Sequence, residues 1–234
     1  AMSIILICDN CEDVINELPP IDMVLTDPAF GISNIANVDN FWNGYTSNKG
    51  DWDIPPGTFW IDECVNILKD GGIFSCFGVF GSLVPIFISL MKNGMKFQSH
   101  PVWEKSNPAP SVHRRMYTYA NEIILVFSKG SNWTFNYEDA KALAGGKQLK
   151  NVWKAGSQRR ILDRTRKAPH VLDRLILPLT NEGDWLLDPF CGTCCIVERA
   201  AMHAVNVIGI DNDPEVIEWS YNDLISKGYN VEIR

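Results

Sequence analysis

Apolar runs that stop abruptly at an acid and a turn residue restrict this chain most. IDMVLT (21–26) is followed by Asp27-Pro28, DWLLD (184–188) by Pro189, and VNVIGID (205–211) ends on Asp211. These runs are apolar throughout rather than alternating, as in strands covered on both faces. Segments of helical period stand between them. Strands are predicted at 3–8, 21–26, 72–78, 96–105, 122–130, 184–188 and 205–211, with a short one closing the chain. Helices are predicted at 11–18, 59–69, 82–94, 168–179, 195–204 and 213–228, with Gly71-Gly72 as the C-cap of the second. This alternation is that of an α/β fold, a doubly wound and mostly parallel sheet with helices on both faces. Ligands of such sheets sit at the carboxyl ends of the strands. Asp27, Asp188 and Asp211 all stand at such ends.

Composition narrows the partners. The 234 residues, 46% of them hydrophobic, fit one domain spanning 1–234 with a full core and one inserted segment. No apolar stretch approaches the roughly 20 residues that cross a bilayer, so no membrane partner is expected. The first residues lack a basic n-region and a cleavage site, which points to the cytoplasm. Seven cysteines, with Cys191, Cys194 and Cys195 crowded into one turn, read as reduced thiols there. Their C-x-x-C-C spacing lacks a second pair of ligands, so no metal is expected. The net charge is −7, yet residues 141–167 carry nine cations against one acid, Asp163. A solvated surface loop accounts for such a stretch; so does an anionic partner, because phosphate contacts need clustered cations.

The strand ends carry two candidate half-sites. LLDPFCGT (186–193) runs from a strand into a helix, and Gly192 lets the backbone approach a ligand closely. About 20 residues on, Asp211 can accept hydrogen bonds from both hydroxyls of a ribose. There is no GxGxxG, and Asp188 repels a pyrophosphate. A nucleoside cofactor without phosphates and with a cationic centre, such as S-adenosylmethionine, fits better. An ordinary strand–turn–helix with a capping Asp explains these residues equally well. In TDPAF (26–30), Asp27 and the Pro28 carbonyl can accept the two N–H bonds of an exocyclic amine on a nucleobase. Phe30 can stack on the base. Taken alone, that segment is more economically a capped turn beside a core phenylalanine.

Several segments together resemble a family. TDPAFGI resembles TDPPYGI, LLDPFCGT resembles LDPFxGSG, VIGIDNDPEVIE resembles FIGIEIDPEYIE, and RKAPHVLDRLI resembles QKPLELLERLI. These are motifs of the β class of site-specific amino-group DNA methyltransferases, whose catalytic motif precedes the cofactor motif. The opening LICDNCEDVINELPPIDMVLTDP, DWD (51–53), VWEKSNPAPS and NEIILVFSKG also resemble segments of that family. The resemblance covers nearly the whole chain in order and implies a Rossmann-like methyltransferase sheet. It implies catalytic roles for Asp27, Pro28 and Phe30. It places S-adenosylmethionine among Asp9, Asn10, Asp27, Lys167, Asp188, Phe190, Gly192, Thr193 and Asp211. It implies methylation of a base flipped out of DNA, adenine N6 ahead of cytosine N4 because the tetrapeptide begins with Asp.

Three departures stand out: Ala29 replaces a proline, Phe30 a tyrosine, and Cys194 the second glycine of the cofactor loop. Phe30 keeps the stacking face, while Ala29 and Cys194 are the support for a rival reading, an inactive homologue serving as a DNA-recognition subunit. A nucleotide-dependent dehydrogenase is disfavoured by the missing phosphate loop. Target recognition is expected from a small insert at 131–165, short enough to suit a short site or a homodimer that shares the work. Lys105, Arg114, Arg115, Lys154, Arg159 and Arg160 are the candidate DNA contacts. The Asn- and Gly-rich stretch 31–50 reads as a mobile flap over the base pocket. A bacterial or phage origin follows from the family.

Overall fold

The computed structural model describes residues 2–30, 56–108, 110, 117–162 and 164–234. The chain starts with β1 (Ile4–Cys8), α1 (Cys11–Val14) running into a 3-10 turn (Ile15–Glu17), and β2 (Ile21–Thr26). Next come α2 (Phe59–Ile67), β3 (Leu68–Gly78), α3 (Phe80–Lys92), β4 (Lys96–Ser99), β5 (Val102–Lys105) and β6 (Asn121–Ser128). Then follow α4 (Tyr137–Leu143), β7 (Val152–Ala155), α5 (Pro169–Leu179), β8 (Trp185–Asp188), α6 (Cys195–Met202), β9 (Asn206–Asp211), α7 (Pro214–Ser226) and β10 (Val231–Ile233).

The strands form one sheet in the order β10-β1-β9-β8-β2-β3-β6-β5-β7, with β4 also paired to β6. From β10 to β3 every pairing is parallel; β6 is antiparallel to β3, β4 and β5, and β7 pairs parallel with β5. Neighbouring strand residues face opposite layers. Leu6, Leu25 and Val207 pack with Val171, Leu175 and Val197 of α5 and α6 on one face. Ile7, Val24 and Ile208 pack with Ile61, Cys64 and Leu83 of α2 and α3 on the other. The doubly wound, mostly parallel sheet is thus the observed architecture.

Helix starts follow local chemistry. Pro169 opens α5 and Pro214 opens α7, where a missing N–H costs nothing. Asp213 caps α7 by accepting from the backbone N–H of Glu215 at 3.1 Å.

Three stretches depart from the sequence expectations. α2 stops at Ile67 rather than at Gly71-Gly72, and β3 begins at Leu68. Between Ile21↔Leu68 and Met23↔Ile73 the register shifts, so residues 69–72 bulge from the ladder. Gly71 is needed there: its φ is +80°, and a Cβ would lie 2.3 Å from the Asn132 carbonyl oxygen. The Lys129 ammonium caps the helix instead, donating to the carbonyls of Val65 and Leu68 at 2.7 and 2.6 Å. The single strand expected at 96–105 is two, β4 and β5, separated at His100-Pro101. Pro101 has no N–H to give a ladder. Residues 131–165 contain α4, which packs on α5, and β7, which forms the sheet edge. Asn136 anchors this stretch by donating to the Leu177 and Thr180 carbonyls at the end of α5.

Candidate active site at the carboxyl tips of the sheet

Four adjacent parallel strands, β1, β9, β8 and β2, point their carboxyl ends the same way. Asp9, Asp211, Asp188 and Asp27 stand at those four tips. A cleft of about 500 Å³ opens over them. Asn10, Pro28, Phe30, Phe190, Gly192 and Thr193 complete the part of its wall that the sequence pointed to. Arg164 and Thr165 also line it, and no sequence signal singled them out for that role. Arg164 is the one cation among the described lining residues, and it pairs with Asp213 at 2.9 Å.

Each tip is organised by its own hydrogen bonds. Asp211 accepts from the Gly192 N–H through Oδ2 and from the Asp213 N–H through Oδ1, both at 3.0 Å. Each oxygen keeps a second lone pair for a ligand hydroxyl. Burial raises the Asp211 carboxyl above the ordinary aspartate range. Asp188 is 1% exposed, and its Oδ1 accepts from Thr26 Oγ1 at 2.8 Å and from the Phe190 N–H at 3.2 Å. Burial outweighs those bonds and pushes its carboxyl up to about 7. Asn10 Oδ1 accepts from Asn212 Nδ2 at 3.1 Å, which ties the β1 tip to the β9 tip.

The cofactor-loop substitution changes strain rather than space. Gly192 and Cys194 both have positive φ, +49° and +57°. Cys194 is a buried non-glycine in the left-handed region, and its Sγ lies 3.7 Å from Cys191 Sγ. It is absent from the lining of the cleft.

Lys167, expected at the cofactor, stands behind the strand tip that carries Asp27. It is not on the cleft wall; its ammonium lies behind Asp27, 2.6 Å from Oδ2. The same nitrogen lies 2.9 Å from Glu122 Oε2, and Glu122 Oε1 lies 2.7 Å from Lys105 Nζ. Three rings surround the Lys167 ammonium, with centroids 5.3 Å (Phe30), 5.2 Å (Phe77) and 5.9 Å (Trp103) away. Burial alone would depress the lysine; Asp27 and Glu122 outweigh it and hold it above its ordinary value. Burial alone would raise Glu122; Lys167 and Lys105 outweigh that and bring it to about 2.

Lys105, a candidate DNA contact, is therefore committed to a partly buried ion pair. Lys154 pairs with Glu104 at 3.3 Å, with both side chains exposed. Arg159 and Arg160 are exposed. Arg114, Arg115, the 31–50 flap and DWD lie outside the described residues. No group of side chains among the described residues is arranged to hold a metal ion. No described helix is long and apolar enough to cross a membrane.

A family model described as DNA methylase, N6_N4_Mtase, matches residues 21–222. The chain belongs to this DNA methylase family. The methylase is 31% identical over 215 residues to the Type II methyltransferase M2.DpnII of Streptococcus pneumoniae, covering 84% of this chain and 80% of that one. It is also 31% identical over 228 residues to the Type II methyltransferase M2.MboI of Moraxella bovis, covering 90% and 84%. Its fold matches the M1.HpyAVI–SAM complex at a TM-score of 0.68 and 20% identity, covering 94% and 98%. It matches the cytosine-N4-specific PvuII DNA methyltransferase at 0.71 and 15%, covering 99% and 96%. In open α/β sheets ligands bind outside the carboxyl ends of the strands, and the cleft lies there.

Proposed function

We propose that the methylase transfers a methyl group from S-adenosylmethionine to the N6 amine of an adenine flipped out of duplex DNA. One observation carries this reading: Asp27, Pro28 and Phe30 share a single cleft with Phe190, Gly192 and Asp211. The cleft suits the cofactor. Its acids disfavour a pyrophosphate and favour a cation, and its volume lies in the range of about 300–1,000 Å³ of small-molecule sites. Asp211 would hold the ribose hydroxyls, with Asp9 and Asn10 at the adenine end and Asp188, Phe190, Gly192 and Thr193 at the methionine end. Bound there, S-adenosylmethionine supplies a methyl group made electrophilic by its sulfonium.

The chain's own residues prepare the amine. An exocyclic amine is a poor nucleophile because its lone pair is delocalised into the ring. The Asp27 carboxylate accepts one N–H and the Pro28 carbonyl the other, which draws the nitrogen toward tetrahedral geometry. Lys167 stabilises Asp27 as the anion needed for that. Phe30 stacks on the base, a contact worth roughly 1–3 kcal/mol. That contact offsets part of the few kcal/mol that flipping costs. Catalysis is mainly positioning and polarisation.

The Asp-first tetrapeptide favours adenine; cytosine N4 is the second reading, supported by the fold shared with the PvuII enzyme. Duplex DNA of mixed sequence, methylated with labelled cofactor and digested to nucleosides, decides between them. N6-methyladenine is expected, and N4-methylcytosine overturns the base assignment. Asp27→Ala is expected to lower turnover more than 100-fold while the cofactor Kd stays within about threefold. Full turnover in that variant would remove Asp27 from the mechanism, and no product from the wild type would favour an inactive recognition subunit.

Target recognition is assigned to residues 131–165 and the basic surface they carry. Two antiparallel steps across β6 make β5 parallel to β3, and β7 is parallel to β5. Arg159 and Arg160, just beyond β7, therefore leave the sheet on the same side as Asp27. Neutralising both is expected to lower the slope of log binding constant against log salt by about 2. An unchanged slope would move the DNA surface elsewhere. A homodimer sharing recognition and a place in the bacterial cytoplasm complete the proposal; sedimentation equilibrium tests the dimer.

A further inference from the structure

We infer that Glu122 is a positioning residue for methyl transfer, acting on Asp27 through Lys167. This rests on the reading of Asp27 as the acceptor of the target amine. Four charges alternate along one partly buried line: Lys105, Glu122, Lys167 and Asp27, with successive separations of 2.7, 2.9 and 2.6 Å. They come from β5, β6, the segment before α5 and the tip of β2. Their sum is zero, so the line is internally neutral where solvent cannot screen it. The middle pair is the most buried, with side chains 2% and 8% exposed.

Glu122 is not among the residues lining the cleft. Its effect passes through the ammonium it shares with Asp27. Held between two carboxylates and beside the Phe30 ring, the Lys167 nitrogen has one place to sit. That place fixes the Asp27 carboxylate relative to the stacking face. Sharing the cation also leaves Asp27 a stronger hydrogen-bond acceptor than a private lysine would. Among the described residues, Asp188 on β8 and the Cys76 and Cys195 thiols also face Asp27, and burial keeps both thiols neutral.

The test uses full-length enzyme, duplex DNA and S-adenosylmethionine, with Asp27→Ala as the reference. Glu122→Gln is expected to lower kcat about 10- to 100-fold and leave the cofactor Kd within twofold. The acid limb of its kcat–pH profile moves to lower pH, because Lys167 then acts on Asp27 alone. Lys167→Met moves that limb to higher pH. The double variant, neutral again along the line, regains at least tenfold in kcat over Lys167→Met. If Glu122→Gln does not fold, Glu122→Asp carries the test, with a smaller kcat loss and the same cofactor Kd. A kcat within threefold of wild type and an unmoved profile would overturn the inference, as would a double variant no better than Lys167→Met. An Asp27→Ala enzyme that still turns over would instead overturn the reading of Asp27 itself.

Discussion

At the tip of β8, burial pushes the Asp188 carboxyl up to about 7. On β6, Glu122 is also buried, yet it is brought down to about 2. Both side chains have lost water, so burial alone does not set their charge; their partners do. Thr26 and the Phe190 N–H offer Asp188 only neutral donors, whereas Lys105 and Lys167 offer Glu122 two cations. The cleft at Asp188 is thus poised to change charge when a cation arrives. Behind Asp27 the charges are balanced before any ligand binds.

Removing the shared cation should give the largest effect. Lys167→Met takes the shared cation from Asp27 and leaves Glu122 with Lys105, and a loss of roughly 3–5 kcal/mol in urea unfolding at pH 8 is expected. Asp188→Asn should cost less than about 1 kcal/mol there, because it removes an uncompensated buried charge. Equal losses would erase the contrast between the two regions.

The pH dependence of stability sharpens it. Glu122 has a folded value below its unfolded one, so its contribution is present above about pH 4.5 and lost as pH falls toward 2. Asp188 has a raised folded value, so its contribution is present below about pH 4 and lost as pH rises through 7. Melting curves of Asp188→Asn should lose only the second of these slopes. Cofactor affinity should follow the same group. It is expected to rise by up to about tenfold from pH 6 to 8 in the wild type, since one pKa unit is a factor of ten. It should stay flat in Asp188→Asn, as calorimetric titration would show.

The smallest effect is expected at Cys194→Gly. Relief of the left-handed backbone is offset by the extra freedom of glycine in the unfolded chain, for a net change within about 1 kcal/mol. Turnover should remain within threefold of wild type, because the thiol is turned away from the cleft. A large loss of turnover would mean that this loop reaches the ligand through Cys194 after all.

Much of the cleft around Asp188 and Asp211 was legible in the sequence. The tips at Asp27, Asp188 and Asp211 follow apolar runs whose lengths and turn residues are local, and the loop at Gly192 is contiguous with its strand. The surroundings of Asp27 were legible only at TDPAF. Gly71-Gly72 reads as a helix cap because its conformational freedom is visible, while the bulge that needs it depends on Asn132, far along the chain. The basic stretch shows no period because β7 spans only four residues at an edge.

The sequence by itself determined the alternation of elements, the apolar strands covered on both faces and the acids that end them, because these are written in neighbouring residues. Only the tertiary structure decided that Lys105 and Lys167, which read as a DNA contact and a cofactor ligand, are joined through Glu122 to Asp27. Residues 27, 105, 122 and 167 have no periodic relation along the chain. Their charges meet because four separate segments converge behind one strand tip, and in that dry interior each charge is tolerable only beside the next.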